Sequence, residues 1–457
     1  MSSTLRSVGV DVGTTTTQLI VSQITAENKA SSFAVPEMEI TERKILYKSQ
    51  IHFTPLLSGE LVDGEIIRDI VAAEYEKAGI RRQDVDTGAI IITGETSRKE
   101  NAATVLAALS DFAGDFVVAT AGPDLESVLA AKGAGAVSYS EQTGKTVLHM
   151  DIGGGTSNLA LIQDGRITAT ACLNIGGRLL KLDTSGCITY VSPVLQGLVP
   201  CKLGDTITEE QARQVARMLA QVLEMAAGLR EKTELFDCLT THGTQKIAPA
   251  AGAVLSFSGG VADCIGAVHP WLQFSDLGPL LGQAIRESAL CRGEYRLGSE
   301  TIRATVIGAG CHSAQLSGST VFLRDVPLPM KNLAVASIDS REQNLPKEEL
   351  AALIAGRLGA VEQWGVLALP GWNAPDYSRV TALADAIAMA VGQKPCYIAL
   401  EEDMAKALGH ALALRLPRQT PCLCIDRVRI PAGSYLDVGV PVGSAISLVV
   451  KTLILSH

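Results

Sequence analysis

A chain of 457 residues has room for two to four domains with substantial cores, and 47% hydrophobic content with only 4% aromatics points to an aliphatic α/β interior. A formal net charge of −9 with no dense run of Lys or Arg argues against a nucleic-acid partner, and Asp, Gly or Pro interrupts every apolar stretch before it reaches the length of a membrane span. The ten cysteines all lie at or after Cys172 with no Cys-x-x-Cys among them, which excludes zinc, iron–sulfur and thioredoxin-type sites and leaves buried, reduced thiols of a cytosolic protein.

In chain order, the first residues lead straight into a strand, so no signal peptide is expected. Residues 5–24 read as a hairpin around Asp11-Val12-Gly13-Thr14-Thr15-Thr16, and two more strands are expected at 30–36 and 44–54. Asp63 is placed to cap a helix running to about Lys77 and closed by Gly79. A continuous apolar run at 88–93 reads as a buried strand, Gly94-Glu95 turns into a helix over 99–111, and a strand follows at 116–119. Gly122-Pro123 opens a helix that carries Glu126 near its start and finishes in Ala131-Lys132-Gly133-Ala134-Gly135-Ala136, a stretch rich in small residues. Strands at 146–152, 157–163 and 166–175 repeat the three-strand start, an internal duplication. The turn Asn174-Ile175-Gly176-Gly177-Arg178 is expected to lead toward a helix, and Thr208-Glu209-Glu210-Gln211 is a capping box for an amphipathic one. A strand at 302–306 is expected to feed a helix that opens with Ile307-Gly308-Ala309-Gly310, a second small-residue surface suited to a close helix crossing. Beyond Pro327 and Pro329, strands and helices alternate at 333–338, 347–358, 366–369, 377–391, 396–400, 402–414 and 422–425, and the tail reads as short β-hairpins.

The chemistry concentrates in turns. Asp151-Ile152-Gly153-Gly154-Gly155-Thr156-Ser157 joins two apolar strands through three glycines, which fill no core and leave the backbone open to close approach. Turn amides and hydroxyls suit phosphate oxygens, and a carboxylate at the strand end suits Mg²⁺ held through water. The first hairpin has the same layout, and Leu255-Ser256-Phe257-Ser258-Gly259-Gly260-Val261 turns from strand to helix through a Gly-Gly that lets a flat ring approach. Gly144-Lys145-Thr146 mimics the end of a Walker A motif, but Tyr139 stands where its first glycine belongs, so the P-loop reading drops out.

Two hydroxyl-bearing hairpins followed by a Gly-Gly turn resemble, in that order, the phosphate-1, phosphate-2 and adenosine motifs of the actin-like ATPase superfamily, which also holds heat-shock chaperones and sugar kinases. The resemblance implies an α/β fold of two ribonuclease-H-like lobes, at 1–144 and 145–320, with a C-terminal α/β region at 321–457 for docking or dimerisation. It implies ATP and Mg²⁺ as cofactors. Gly13, Thr14, Thr15, Thr16, Gly153, Gly154, Gly155, Thr156 and Ser157 would meet the phosphates, and Ser258, Gly259 and Gly260 the adenosine. Asp11 and Asp151 would hold the metal, and Glu126, with Glu95 second, would orient an attacking water. The two small-residue helices resemble the paired connecting helices that hinge the lobes.

Denser motifs carry the resemblance further. Ile92-Thr93-Gly94-Glu95, Leu125-Glu126-Ser127-Val128, Ala171-Cys172-Leu173-Asn174 and Ser275-Asp276-Leu277-Gly278-Pro279-Leu280-Leu281 are similar to the ethanolamine ammonia-lyase reactivating family of ethanolamine-utilisation systems. That family implies a chaperone-like ATPase whose partner is ethanolamine ammonia-lyase. It helps the lyase release damaged cobalamin so that intact adenosylcobalamin can enter. The cobalamin stays with the lyase, and no Asp-x-His-x-x-Gly ligand pattern occurs in this chain. A cytoplasmic protein in the setting of a bacterial microcompartment is implied, and a homodimer is compatible. The alternatives within the superfamily are a small-molecule kinase, for which no base for an accepting hydroxyl is evident, and an actin-like structural ATPase, which would need polymer contacts.

Overall fold

The computed structural model describes residues 2–13, 16–29, 38–58, 61–93, 105, 109, 117–120, 122–243, 247–248, 252–312, 314–318, 320–361, 365–430, 434–442 and 445–452. The expected strand at 30–36 and helix at 99–111 fall on or mostly on residues outside these, as do Thr14, Thr15 and Glu95.

The first sheet is built from β1 (Ser2–Val12), β2 (Thr16–Asn28), β3 (Met38–Lys48), β4 (Thr87–Ile92) and β5 (Val117–Thr120), in the order β3-β2-β1-β4-β5. The first three are antiparallel, and β4 and β5 run parallel to β1. All six residues of β4 are buried, as a central parallel strand covered on both faces requires. The third strand starts earlier than the sequence suggests. Thirteen-residue β2 pairs with β3 from Ile20↔Lys48 to Asn28↔Met38, so one long ribbon takes residues read as the gap between two short strands. Helix α1 (Gly64–Ala78) is capped as expected: Asp63 accepts from the Glu65 and Ile66 amides, and Gly79 closes it at φ 66°. Helix α2 (Pro123–Gly133) follows β5.

The second sheet repeats the plan with β6 (Val147–Ile152), β7 (Ser157–Gln163), β8 (Arg166–Leu173), β9 (Val254–Ser258) and β10 (Tyr295–Leu297), plus the short edge strand Thr240–His242 beside β8. Its order is β8-β7-β6-β9-β10, again three antiparallel strands followed by two parallel ones. Two sheets of one connectivity give the two-lobed, actin-like α/β fold, each lobe ribonuclease-H-like. Its longer helices include α3 (Glu209–Ala226), α4 (Gly260–Gly266), α5 (Gly278–Glu287) and α6 (Ala304–His312).

Two local expectations fail here. Gly176-Gly177-Arg178 leads into a hairpin of Leu180–Leu182 and Ile188–Val191 rather than a helix. Leu180 and Leu182 turn inward around exposed Lys181, a period of two, and Asp183 closes the turn by accepting from the Ser185 and Cys187 amides at 2.8 and 3.0 Å. No strand forms at 302–306, and α6 begins at Ala304. The β-branched run Ile302 to Ile307 favours a strand locally, but tertiary packing overrides it. A Cβ on Gly308 would strike the Leu129 carbonyl, and one on Gly133 the Ala304 carbonyl, so α2 and α6 cross backbone to backbone.

The third sheet contains β11 (Ala314–Leu316), β12 (Phe322–Arg324), β13 (Met330–Ser337), β14 (Val366–Leu369), β15 (Cys396–Leu400), β16 (Cys422–Ile425), β17 (Ser434–Val442) and β18 (Ala445–Thr452). Its order is β11-β18-β17-β13-β14-β15-β16-β12, with β13 to β16 parallel and α7 (Lys347–Ala360), α8 (Tyr377–Val391) and α9 (Ala405–Ala413) in the crossovers. The tail forms one long hairpin, β17–β18. Edge strand β11 lies ahead of residue 320, so this sheet begins inside the stretch read as the second lobe. It rests on the first sheet: Val449 of β18 packs with Ala89, Ile91 and Ala309, and Leu316 packs against Leu5, Ile24 and Ala26.

None of the ten cysteines is in a disulfide and six of them are buried, but Cys238 is exposed and Cys187, Cys201 and Cys291 are half-buried, so the reading of buried thiols does not hold for all of them. Among the described residues no helix is long and apolar enough to cross a membrane.

Candidate nucleotide cleft

Between the two lobes lies a cleft of about 450 Å³ whose wall includes Asp11, Gly13, Thr16, Glu126, Asp151, Gly153, Gly154, Gly155, Thr156, Gly259 and Gly260. The duplicated topology brings them together. Each Asp sits near the end of the first strand of its lobe, and each hairpin closes in the same way, with the Gly13 amide bonded to the Thr16 carbonyl at 2.9 Å and the Gly153 amide to the Thr156 carbonyl at 3.0 Å. The second turn is braced from behind, where the Gly177 and Arg178 amides donate to the Gly153 and Gly154 carbonyls at 3.0 and 2.7 Å. Gly176 backs this brace, since a Cβ there would strike Gly154.

The glycines of the cleft have different reasons. Gly259 holds φ 85° with its backbone against that of Ile152, so packing alone demands glycine there. A Cβ on Gly153 would meet only the Thr156 carbonyl oxygen at 3.6 Å, and one on Gly260 only Ile302 at 3.8 Å. Neither needs to be glycine for packing, so their bare backbone serves the space of the cleft.

Two sequence-derived candidates do not face that space. Buried Ser157 donates its hydroxyl to the Ile175 carbonyl at 2.7 Å, which leaves it no proton for a phosphate. Ser258, also buried, donates to the Asp151 carboxylate instead of lying against a nucleoside. The strand period explains both, because each hydroxyl falls on the inward face of its strand.

Burial drives the electrostatics. Desolvation raises Asp151 to about 6 against the hydrogen bonds of Ser258 and Thr305. It raises Asp11 to about 7 against the 2.7 Å hydrogen bond from Thr93, and the charge of Asp151 adds to the rise. Two facing carboxylates held above their ordinary range are a site short of positive charge. The wall as a whole carries five carboxylates (Asp11, Glu126, Asp151, Asp263, Asp276) and one guanidinium, Arg178. A bare polyphosphate would be repelled here, whereas one carrying a divalent cation is complemented. Among the described residues no group of three or more metal-ligating side chains converges. Two carboxylates facing a cleft with no further ligand set among those residues suit a cation that keeps most of its water, as Mg²⁺ does. Buried Gln18, opposite Asp11 in the β1–β2 register and also in the wall of the cleft, has a side-chain oxygen without a hydrogen-bond partner.

Several functional-looking residues escaped the sequence reading. His149 is fully buried, bonded through Nδ1 to Ser256 at 3.0 Å and through Nε2 to Ser258 at 2.9 Å, and burial lowers its pKa to about 3, so the imidazole is neutral. Arg178 pairs with Asp276 at 3.1 Å and lies 6.0 Å from the Phe53 ring of the first lobe, and His269 and Phe274 lie side by side with ring centroids 5.4 Å apart. Arg178, Asp276 and His149 stood in or beside the motifs but were given no role, because the pairings of His149 with Ser256 and Ser258, of Arg178 with Asp276 and of Arg178 with Phe53 are long-range and local pattern does not carry them.

Comparison with known proteins agrees over the whole chain. Residues 3–456 match the family described as "Ethanolamine utilisation protein EutA". The chain is 41% identical over 465 residues to the ethanolamine ammonia-lyase reactivase EutA of Salmonella typhimurium (strain LT2), and 40% identical over 465 residues to that of Escherichia coli (strain K12), covering 98% of both chains in each case. Among solved structures it is similar to the ethanolamine utilization protein EutJ from Carboxydothermus hydrogenoformans (18% identity, TM-score 0.36, 66% of this chain and 88% of that one). It is also similar to the Aquifex aeolicus PPX-GPPA enzyme (13% identity, TM-score 0.42, 67% and 99%). With family match and relatives both spanning nearly its full length, the chain belongs to the EutA family of ethanolamine utilisation proteins.

Proposed function

We propose that this protein is a chaperone-like ATPase that reactivates ethanolamine ammonia-lyase, promoting release of damaged cobalamin and its exchange for intact adenosylcobalamin. The observation that carries the reading is the pairing of two carboxylates, buried Asp151 and half-buried Asp11, with two glycine turns in one cleft, in a chain about 40% identical to named reactivases along its whole length. Asp11 and Asp151 would hold Mg²⁺ through water from opposite lobes. The amides at Gly154 and Gly155, with the hydroxyls of Thr16 and Thr156, would bind phosphate oxygens, Gly13 and Gly153 would leave room for the phosphates to approach the turns, and Gly259 and Gly260 would flank the adenosine. Thr14 and Thr15, which lie outside the described residues, keep their proposed role at the phosphates, and Glu95, also outside them, its role as second candidate for orienting the water. Bound Mg²⁺-ATP supplies a phosphoanhydride that water can cleave. Glu126, in the first turn of α2, would hold that water by accepting its proton in a hydrogen bond.

Because α2 belongs to the glycine crossing with α6, the state of the cleft and the angle between the lobes are mechanically joined. A lyase docked across the moving parts, including the region 321–457, would feel that change. The test is recovery of acetaldehyde and ammonia production by lyase inactivated with a cobalamin that lacks the adenosyl group. Recovery should require the protein, ATP, Mg²⁺ and fresh adenosylcobalamin together. Recovery without ATP, or none under full conditions, would overturn the proposal.

A further inference from the structure

Behind the wall of the cleft, parallel pairing of β6 and β9 sets His149 opposite Ser256 and Asp151 opposite Ser258. The four side chains form one line of hydrogen bonds, and its direction is fixed by counting protons. Ser258 has a single hydroxyl proton and gives it to the Asp151 carboxylate. The contact between Ser258 and His149, 2.9 Å, must therefore be donated by the imidazole from Nε2. A neutral imidazole that donates from Nε2 accepts at Nδ1, so the 3.0 Å contact there is donated by Ser256. The line reads Ser256 to His149 to Ser258 to Asp151, and all four residues are buried, so water does not compete for any link.

Among the described residues the other lobe shows no such line. The equivalent position, two residues before Asp11, is Gly9, whose backbone lies flush against Val306 and Gly310 of α6. Asp11 is held instead by Thr93, which itself lines the cleft. The device is particular to the second lobe, and its Ser258 immediately precedes Gly259 and Gly260, whose backbone borders the cleft.

We propose that His149 is a positioning residue: it holds the Ser258 hydroxyl on Asp151, and so ties the Gly259-Gly260 turn to the carboxylate that would carry the cation. This rests on the nucleotide reading of the cleft. Outer hydrogen-bond partners of this kind change metal affinity by roughly 10- to 100-fold when removed.

The experiment measures Mn²⁺ affinity by electron paramagnetic resonance in the presence of ADP, and ADP affinity without metal by calorimetry, on the full chain. Ser258→Ala and His149→Leu should each weaken Mn²⁺ by about tenfold or more, with metal-free ADP affinity changed less than about twofold. The double variant should be no worse than Ser258→Ala alone, and His149→Gln, which can still donate an N–H toward Ser258, should recover most of the loss. If His149→Leu does not fold, Ser256→Ala leaves the ring in place; it should give a smaller loss that vanishes in the Ser258→Ala background. Additive losses, or an Mn²⁺ affinity unmoved in His149→Leu or Ser256→Ala while Ser258→Ala weakens it, would overturn the positioning role and leave the nucleotide reading standing. A wild-type protein that binds neither ADP nor Mn²⁺–ADP would overturn both.

Discussion

Substituting Asp151 by Asn should make the nucleotide-free protein more stable at neutral and alkaline pH. Asp151 is only 6% exposed, and burial lifts its carboxyl from 3.8 to about 6. A carboxyl whose pKa rises on folding binds more protons folded than unfolded, so its contribution is fully present below about pH 4 and is withdrawn as the pH climbs through about 6. At about 1.4 kcal/mol per pH unit of difference, the whole effect is about 3 kcal/mol, of which about 1.4 kcal/mol is withdrawn between about pH 5 and pH 8. Asn stays neutral and can still accept from Ser258, so the variant escapes that loss. Thermal unfolding of both proteins across this range should show the melting temperature of the wild type falling relative to the variant. One kcal/mol corresponds to about 2–4 °C for a unit of 150–250 residues, so the gap should open by about 3–6 °C. Adding Mg²⁺ with ADP should close the gap by stabilising the wild type alone, since a ligand that binds only the folded state raises stability by mass action. Equal pH slopes in the two proteins would refute the claim that Asp151 is held ionised at a cost.

Gly153→Val should fold like the wild type, because a Cβ there meets nothing nearer than 3.6 Å, yet lose nucleotide binding in a calorimetric titration. Wild-type affinity would remove the phosphate role of that turn. Glu126→Gln should slow ATP hydrolysis by about a hundredfold or more while ADP affinity holds, and normal turnover would shift the water-holding role to another carboxylate such as Glu95. Gly308→Val should lower the melting temperature by the equivalent of about 1–3 kcal/mol or prevent folding, because its side chain would occupy the Leu129 backbone; a neutral result would mean that the α2–α6 crossing can open freely.

The elements that the sequence announced are those with local signatures: α1 with Asp63 and Gly79, α3 with its Thr208 capping box, and the alternating layers of the third sheet. The failures share a cause. Ile302 to Ile307 has strand chemistry, but Ala304 and Gly308, small and four apart, belong to a helix that only its partner α2 rewards. In the cleft, Asp11, Asp151 and the glycine turns were legible because a duplicated hairpin repeats its pattern within a short stretch. The hydroxyl directions of Ser157 and Ser258 were not, because strand parity against a distant neighbour sets them. The His149 line joins residues 107 apart in sequence at Ser256 and 109 apart at Ser258, which no local window spans.

The third sheet is fastened to the first lobe through Val449 and Leu316, far along the chain from either phosphate turn. In the hinge proposed above, rotation about the α2–α6 crossing would carry the third sheet as an outrigger of that lobe, and its arc relative to the second lobe would widen with distance from the pivot. A client gripping both the outrigger and the second lobe would be levered apart by a small angular change, with no surface of either lobe having to remodel. Fluorophores placed on α8 and α3 would report that stroke, while a pair on α8 and α1 would stay silent.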